Sequence, residues 1–186
     1  MRVIGITGTL GAGKGTIVEY LTQKKGFLHY PVRGFLIEEL KRRELPVNRD
    51  SMTSVANELR AKYSSSYITD QLYQKASQNN TNAVIESIRT PGEVEALRQK
   101  GKFILFAVDA DPEIRYRRVQ ARKSETDDIS REIFQENEKR EMNSTDPNKQ
   151  NLKRCIEMAD FVFYNNGSIK QLHEQVEKVL VKIGLV

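Results

Sequence analysis

The chain has one cysteine, two histidines and no long apolar run, and each scarcity removes a class of function. Cys155 alone permits neither an internal disulfide nor a thiolate zinc cage, so a reducing compartment, most simply the cytoplasm, is expected. His29 and His173 lie in unrelated contexts, and the H-x-E and P-C-x-x-C ligands of a zinc deaminase have no counterpart. The longest apolar stretch, Phe103-Ile-Leu-Phe-Ala-Val108, is too short to cross a bilayer, so no membrane partner is expected. A strand-like run begins directly after Arg2, so no secretory signal is expected either. No repeat, low-complexity tract or Gly/Ser linker interrupts the 186 residues, which predicts one domain with a proper core.

What the chain has in excess is positive charge. Its formal net charge is +5 and its pI near 9.3, which suits a polyanionic ligand and leaves nucleic acid open. Arg115, Arg117, Arg118, Arg122 and Lys123 fall within one short segment. That concentration points to a phosphate-binding cluster rather than to an extended nucleic-acid-binding tail.

Residues Gly8-Thr9-Leu10-Gly11-Ala12-Gly13-Lys14-Gly15-Thr16 follow the apolar run Val3–Thr7. A Gly-rich loop between a strand and a helix turns consecutive backbone N–H groups inward on a phosphate chain. The helix N-terminus adds its positive dipole end and Lys14 a full charge. This is a phosphate-cradling P-loop and predicts a nucleoside triphosphate. The common form has Ser or Thr immediately after the lysine; here Gly15 intervenes and the hydroxyl comes one place late, at Thr16.

Strand-like runs alternate with helical patterns along the rest of the chain, predicting a three-layer α/β fold with a parallel five-stranded sheet. The strands are placed at Val3–Thr7, Phe27–Tyr30, Ala83–Glu86, Phe103–Val108 and Phe161–Tyr164. Thr90-Pro91-Gly92-Glu93 reads as a capping box with proline at the first helical position, and Asp111-Pro112 and Asp146-Pro147 offer the same cap-plus-proline logic. Leu152, Cys155, Ile156 and Ala159 recur at helical spacing, as do Ile169, Leu172, Val176, Val179 and Ile183; both stripes read as core. Between the second and third strands, 31–82 is helical in pattern, with stripes at Met52, Val55, Leu59 and at Ile68, Leu72, Ala76. A connection that long is expected to form a helical lobe carrying a ligand.

Two further constellations suit phosphate chemistry. Glu86 ends the third strand, beside the P-loop strand, where a hydrated Mg²⁺ is held, with Thr16 as its partner. Arg89, three places on, reaches a second phosphate group. Arg115, Arg118 and Arg122 stand at i, i+3 and i+7 of the helix opened by Pro112. Three guanidiniums on one face repel unless an anion neutralises them, and phosphoryl transfer spreads such negative charge over its transition state. Lys139 and Glu141 read as an exposed charged face.

The loop variant G-x-x-G-x-G-K-G-T resembles that of adenylate kinases and their nucleoside monophosphate kinase relatives. The stretch from Val84 to Leu97 resembles their D-G-F-P-R-T segment, with Glu86 for Asp and Ser87 for Gly. The resemblance gives Glu86 the support of Mg²⁺ and Arg89 the grip on the acceptor phosphate. Arg118-Val-Gln-Ala-Arg122-Lys123 is similar to the R-[IV]-x-x-R-R entry to the family's lid, which implies Arg118 on the donor adenine and Arg122 on the transferring phosphates. A short lid over Lys123–Asp128 follows, without the Cys and His of the zinc-bearing form. Its returning helix carries Arg131 and Arg140, and Arg140 is the candidate taken for the substrate. The family's T-G-D-x-x-R is replaced by Val32-Arg33-Gly34-Phe35; Arg33 is the candidate substitute, Arg49 and Arg60 are further candidates for the acceptor, and Asn57 for a base edge. Ala159–Ser168 looks more like dephospho-CoA kinases, implying Asn166 and Gly167 beside the donor adenine.

Together these readings give a core (1–30, 83–114, 141–186), an acceptor lobe (31–82) and a lid (115–140). The expected activity is ATP-dependent, Mg²⁺-requiring phosphoryl transfer to a nucleoside or deoxynucleoside monophosphate, by a monomer or weak homodimer. Two alternatives stay open. One is a dephospho-CoA kinase-like enzyme, for whose carboxylate base Asp109 is not obviously placed. The other is a nucleotide-gated P-loop module that binds RNA or a protein.

Overall fold

Short apolar runs become the strands of the sheet, and the amphipathic segments between them become its two covering layers. The structure, a computed structural model, describes residues 1–122 and 129–185. In chain order the strands are β1 (Val3–Gly8), β2 (Leu28–Pro31), β3 (Ala83–Glu86), β4 (Phe103–Asp109) and β5 (Phe161–Tyr164). They form one parallel sheet in the order β2-β3-β1-β4-β5. Every residue of β1 is buried, as suits the central strand of a sheet covered on both faces.

The alternation of the strands assigns the two faces. Val3, Ala83, Ile85 and Leu105 pack against α2 (Val32–Arg42), α3 (Arg49–Lys62), α4 (Tyr67–Asn79), α5 (Pro91–Gln99) and α8 (Leu152–Glu157). Ile4, Ile6, Val84, Phe106 and Phe163 pack against α1 (Lys14–Lys25) and α9 (Ile169–Lys182). The three helices of the 31–82 connection thus share an apolar cluster with the sheet. Two more helices, α6 (Pro112–Arg122) and α7 (Arg131–Met142), follow β4. The short lid expected over Lys123–Asp128 lies outside the described residues.

The expected sheet is present, with strand ends differing by a residue at most. Thr90 and Glu93 form the reciprocal capping box, and α6 opens at Pro112. Asp146-Pro147 does not open a helix. The Asp146 side chain accepts from Asn148 N at 2.9 Å to make a turn, and α8 starts later, capped by Asn151. In α9 the buried stripe is Leu172, Val176, Leu180. Ile169, expected in the core, is the first residue of the helix and is 63% exposed.

Candidate active site

The carboxyl ends of β1, β3 and β4 lie side by side, with Ile6 opposite Glu86 and Gly8 opposite Val108. Loops leaving such adjacent strand ends enclose a crevice. The loop after β1 is shaped by backbone that other residues do not fit. Gly8 has φ +140°, and a Cβ there would stand 2.1 Å from the Val108 carbonyl oxygen; Gly11 has φ +79°, and its Cβ would stand 2.4 Å from that of Arg115. Neighbouring elements brace the outside of the loop. Thr9 Oγ1 donates to Asp109 Oδ1 at 2.7 Å, Asn165 Nδ2 to Ala12 O at 2.8 Å and Arg115 Nη1 to Leu10 O at 3.4 Å. Gly13 precedes α1 with no side-chain cap, and the first turn carries no acid, which leaves a helix N-terminus suited to an anion. At Gly15 a Cβ would meet nothing within 4 Å, so the departure from the common motif leaves open space at the loop's inner edge.

This loop forms one wall of a cleft of about 530 Å³. Leu10, Gly11, Gly13, Lys14, Gly15 and Thr16 line it on that side. Opposite stand Val32, Arg33 and Leu36 from α2 and Arg49, Met52, Thr53, Ala56 and Arg60 from α3. Glu19, Glu86, Ser87, Arg89, Arg122, Glu141 and Gln150 complete it. The cleft is therefore cationic at the loop and around Arg89, with an apolar wall at Val32, Leu36, Met52 and Ala56. Arginine and lysine outnumber carboxylates along its lining, the arrangement expected where a multiply charged anion binds.

The charged groups perturb one another. Burial, aided by Arg89 and Arg122, lowers the Lys14 ammonium to about 8 against the pull of Glu86 and Glu141; its Nζ donates to the carbonyls of Gly8 and Thr9 at 2.9 Å each. Burial would raise Glu86, but a hydrogen bond from His29 and the Lys14 charge outweigh it and hold the carboxyl below its ordinary value; His29 Nε2 lies 3.2 Å away. Glu141 is likewise buried, yet Arg89 and Arg49 pin it at about 2. Arg89 Nη1 lies 2.6 Å from Glu141 Oε2 and 2.6 Å from Gln150 Oε1; Arg49 pairs with the other oxygen of Glu141. Fully buried Glu93 sets Arg89 in place, accepting from the backbone amides of Arg89 at 2.8 Å and Thr90 at 3.0 Å. Ser87, standing where the resemblance has glycine, keeps the glycine-type conformation at φ +72°, a strained backbone of the kind that collects at functional sites.

Of the residues singled out from the sequence, Leu10, Gly11, Gly13 to Thr16, Arg33, Arg49, Arg60, Glu86, Arg89 and Arg122 line this cleft, with Gly8, Thr9 and Ala12 behind them as the loop's frame. Arg60 is not a free cation there: it is 2% exposed and paired with Glu93 at 3.0 Å. Arg115, grouped above with Arg118 and Arg122, is neutralised by Asp109 at 3.6 Å and by Glu138. Arg118 is half-buried, its Nη1 unpartnered among the described residues, and burial and Arg122 lower its pKa. Arg140 is turned to Asp50 at 3.0 Å, off the cleft lining. Asn166 and Gly167 line a second, smaller cavity between β5 and α9. Asp109 is engaged by Thr9 and Ala110 N.

Glu141 is the correction of most consequence. Expected on an exposed face, it is 4% exposed and holds two arginines of the cleft. The signal was the i, i+3, i+7 spacing of Phe134, Asn137 and Glu141, all buried on one face of α7. Gln150 carried no signal, because a loop glutamine has no pattern to stand in.

Comparison with known proteins agrees with this architecture. The TT1252 protein of Thermus thermophilus superposes with a TM-score of 0.63 at 21% identity, covering 97% of each chain. Shikimate kinase of Aquifex aeolicus superposes with a TM-score of 0.52 at 15% identity, covering 99% of each. At those identities the likeness is one of fold. A UPF0200 protein of Methanococcus maripaludis is 27% identical, covering 98% of both chains. A UPF0200/UPF0201 protein of Archaeoglobus fulgidus is 30% identical over 99% of this chain, which spans 56% of that relative's length. The fold is thus that of P-loop nucleotide-binding proteins, kinases among them. A family model described as AAA domain matches residues 4–144, well over half of the chain, and by that match the chain belongs to the AAA-domain family.

Proposed function

We propose that the chain is a nucleotide kinase, transferring the terminal phosphoryl group of ATP to a nucleoside or deoxynucleoside monophosphate in the cytoplasm. The observation that carries this reading is that the phosphate-cradling loop with Lys14 and the Arg89 cluster open onto one cleft that also holds an apolar patch at Val32, Leu36, Met52 and Ala56. The loop amides and Lys14 hold the donor's phosphates, Arg89 the acceptor's phosphate, and Val32, Leu36, Met52 and Ala56 offer a surface for a flat base. Arg122 at the end of α6 brings a further charge to the transferring group, with Arg118 a turn before it. Arg33 and Arg60 belong to the acceptor side, Arg60 through its bond to Glu93, which holds the Arg89 backbone. Asn166 and Gly167 serve the donor base from the neighbouring cavity, and Arg140 acts through α7.

Among the described residues no three His, Cys, Asp or Glu side chains cluster as a metal cage. Mg²⁺ is held differently, keeping several waters and taking one or two protein ligands beside the phosphates; the Thr16 hydroxyl and the ionised Glu86 fit that mode. When bound, the ion neutralises charge on the donor's phosphate oxygens. An acceptor phosphate is already ionised at neutral pH and needs no base. A hydroxyl acceptor such as dephospho-CoA does need one, and Asp109 and Glu86 are engaged by Thr9 and His29.

The test is ADP production from ATP–Mg²⁺ with AMP, CMP, UMP, GMP, their deoxy forms and dephospho-CoA, in wild type and Lys14→Ala. Turnover stimulated by a monophosphate and abolished by the substitution is expected. Slow hydrolysis indifferent to every acceptor would overturn the reading, and salt-sensitive RNA binding beside it would favour a nucleotide-gated binding module.

A further inference from the structure

Two buried ion pairs stand in the wall of the cleft, and they differ. Arg60 and Glu93 have side chains 1% and 0% exposed, and Glu93 also ties down the start of α5; this pair is part of the permanent core. Glu141 is 5% exposed, but its partners Arg49 and Arg89 are 19% and 20% exposed and line the open cleft. Two guanidiniums around one carboxylate leave an uncompensated positive charge. The donor set is also unfilled, since among the described residues the buried Nε of Arg49 has no partner. A phosphate dianion brings twice the charge of a carboxylate and more acceptor oxygens, and arginine pairs bind it in a forked geometry.

The helix that delivers Glu141 is attached mainly by charge. Among the described residues, none of α7 joins either apolar cluster. Its anchor is Phe134, packed edge-on to Tyr116 at 5.4 Å. Ion pairs add to it: Arg131–Glu113 at 2.6 Å, Glu138–Arg115, Arg140–Asp50 at 3.0 Å and Glu141 itself, and the Arg115 and Arg131 guanidiniums lie over the Phe134 and Tyr116 rings. Few buried apolar contacts are the mark of elements that open locally, and the buried Glu141 pairs are the tie that a competing anion has to replace.

We propose that the Glu141 carboxylate is a built-in competitor for the acceptor's phosphate, occupying a clamp of Arg49, Arg89 and Gln150 that a phosphate monoester takes over when α7 withdraws. This rests on the reading of the cleft as an acceptor site; it joins Arg49, already a candidate for the acceptor, to Arg89, and adds Gln150 and a gate. While Glu141 sits in the clamp, only the withdrawn fraction of molecules binds acceptor, and apparent affinity falls by that fraction. Acceptor binding and the position of α7 are then two sides of one equilibrium.

The experiment loads the P-loop with a non-hydrolysable ATP analogue and titrates inorganic phosphate by calorimetry into wild type, Glu141→Gln and Asp50→Asn. Glu141→Gln is expected to bind phosphate about tenfold tighter or more, a gain of roughly 1.4 kcal/mol. Asp50→Asn, which cuts the outer strap alone, is expected to shift affinity in the same direction by less. In wild type, added phosphate should lower hydrogen-exchange protection over 131–142. Equal or weaker binding by the variants, or α7 protection that holds or rises with phosphate, would overturn the proposal and make Glu141 a positioning residue for the two arginines. Should Glu141→Gln not fold, Asp50→Asn and the wild-type exchange decide alone. Neither measurement involves turnover. Acceptor-dependent ADP formation without this phosphate response rejects the gate and keeps the kinase; the converse rejects the kinase and keeps the gate.

Discussion

Lys14 sits where the loop's amides, a helix N-terminus and Arg89 converge, and its ammonium falls to about 8 because burial and that charge oppose it. A bound polyphosphate supplies the missing counter-charge and restores the proton. Nucleotide affinity is therefore full below pH 8 and declines as pH rises through that value, by up to about tenfold per unit for one linked proton. A flat affinity profile across pH 8 in direct titrations would show that the lysine carries no such penalty. Stability runs the other way. Between about 8 and 10.5 the unfolded chain holds this proton and the folded chain has released it, so ligand-free stability rises with pH over that window. Residue type and spacing alone pointed to Lys14, Glu86 and Arg89. Their perturbation was not legible, because it depends on what folds against them.

At the scale of elements, α7 stands apart from the sheet-covering helices because its attachment is ionic. Glu141, lowered from 4.5 to about 2, contributes stability that is complete above pH 4.5 and lost as pH falls toward 2. The exposed straps Arg131–Glu113 and Arg140–Asp50 are in addition screened by salt. Exchange protection over 131–142 should accordingly drop, ahead of β1 and β4, both on acidification through that window and at high salt. Protection that falls only with global unfolding would mean that α7 is held by packing at Phe134. The capping box at Thr90 and the proline at the start of α6 were legible because they satisfy backbone groups locally. The Asp146-Pro147 turn carries the same local signal but has no apolar periodicity after it until Leu152, so the chain turns instead.

At the scale of the molecule, the Arg60–Glu93 pair joins α3 to the loop bearing Arg89, inside the apolar cluster on one face of the sheet. Arg60→Met leaves a fully buried carboxylate uncompensated and should cost about 3–5 kcal/mol of stability, read from denaturant midpoints at constant m-value. A loss under about 1 kcal/mol would show the pair to be solvated. The five strands and the phosphate loop were legible in the chain, because apolar runs, glycines at fixed spacing and helix caps act over neighbouring residues, whereas the order of the strands was not. Tertiary structure decided which charges are available for chemistry. Arg60 was expected to face the acceptor and Arg115 to share a phosphate-binding helix face with Arg118 and Arg122, and each is neutralised by a carboxylate distant in sequence. Glu141, expected on the surface, became the group holding Arg49 and Arg89. Ion pairing is set by distances across the fold, and no periodicity in the chain encodes which opposite charge a side chain will meet.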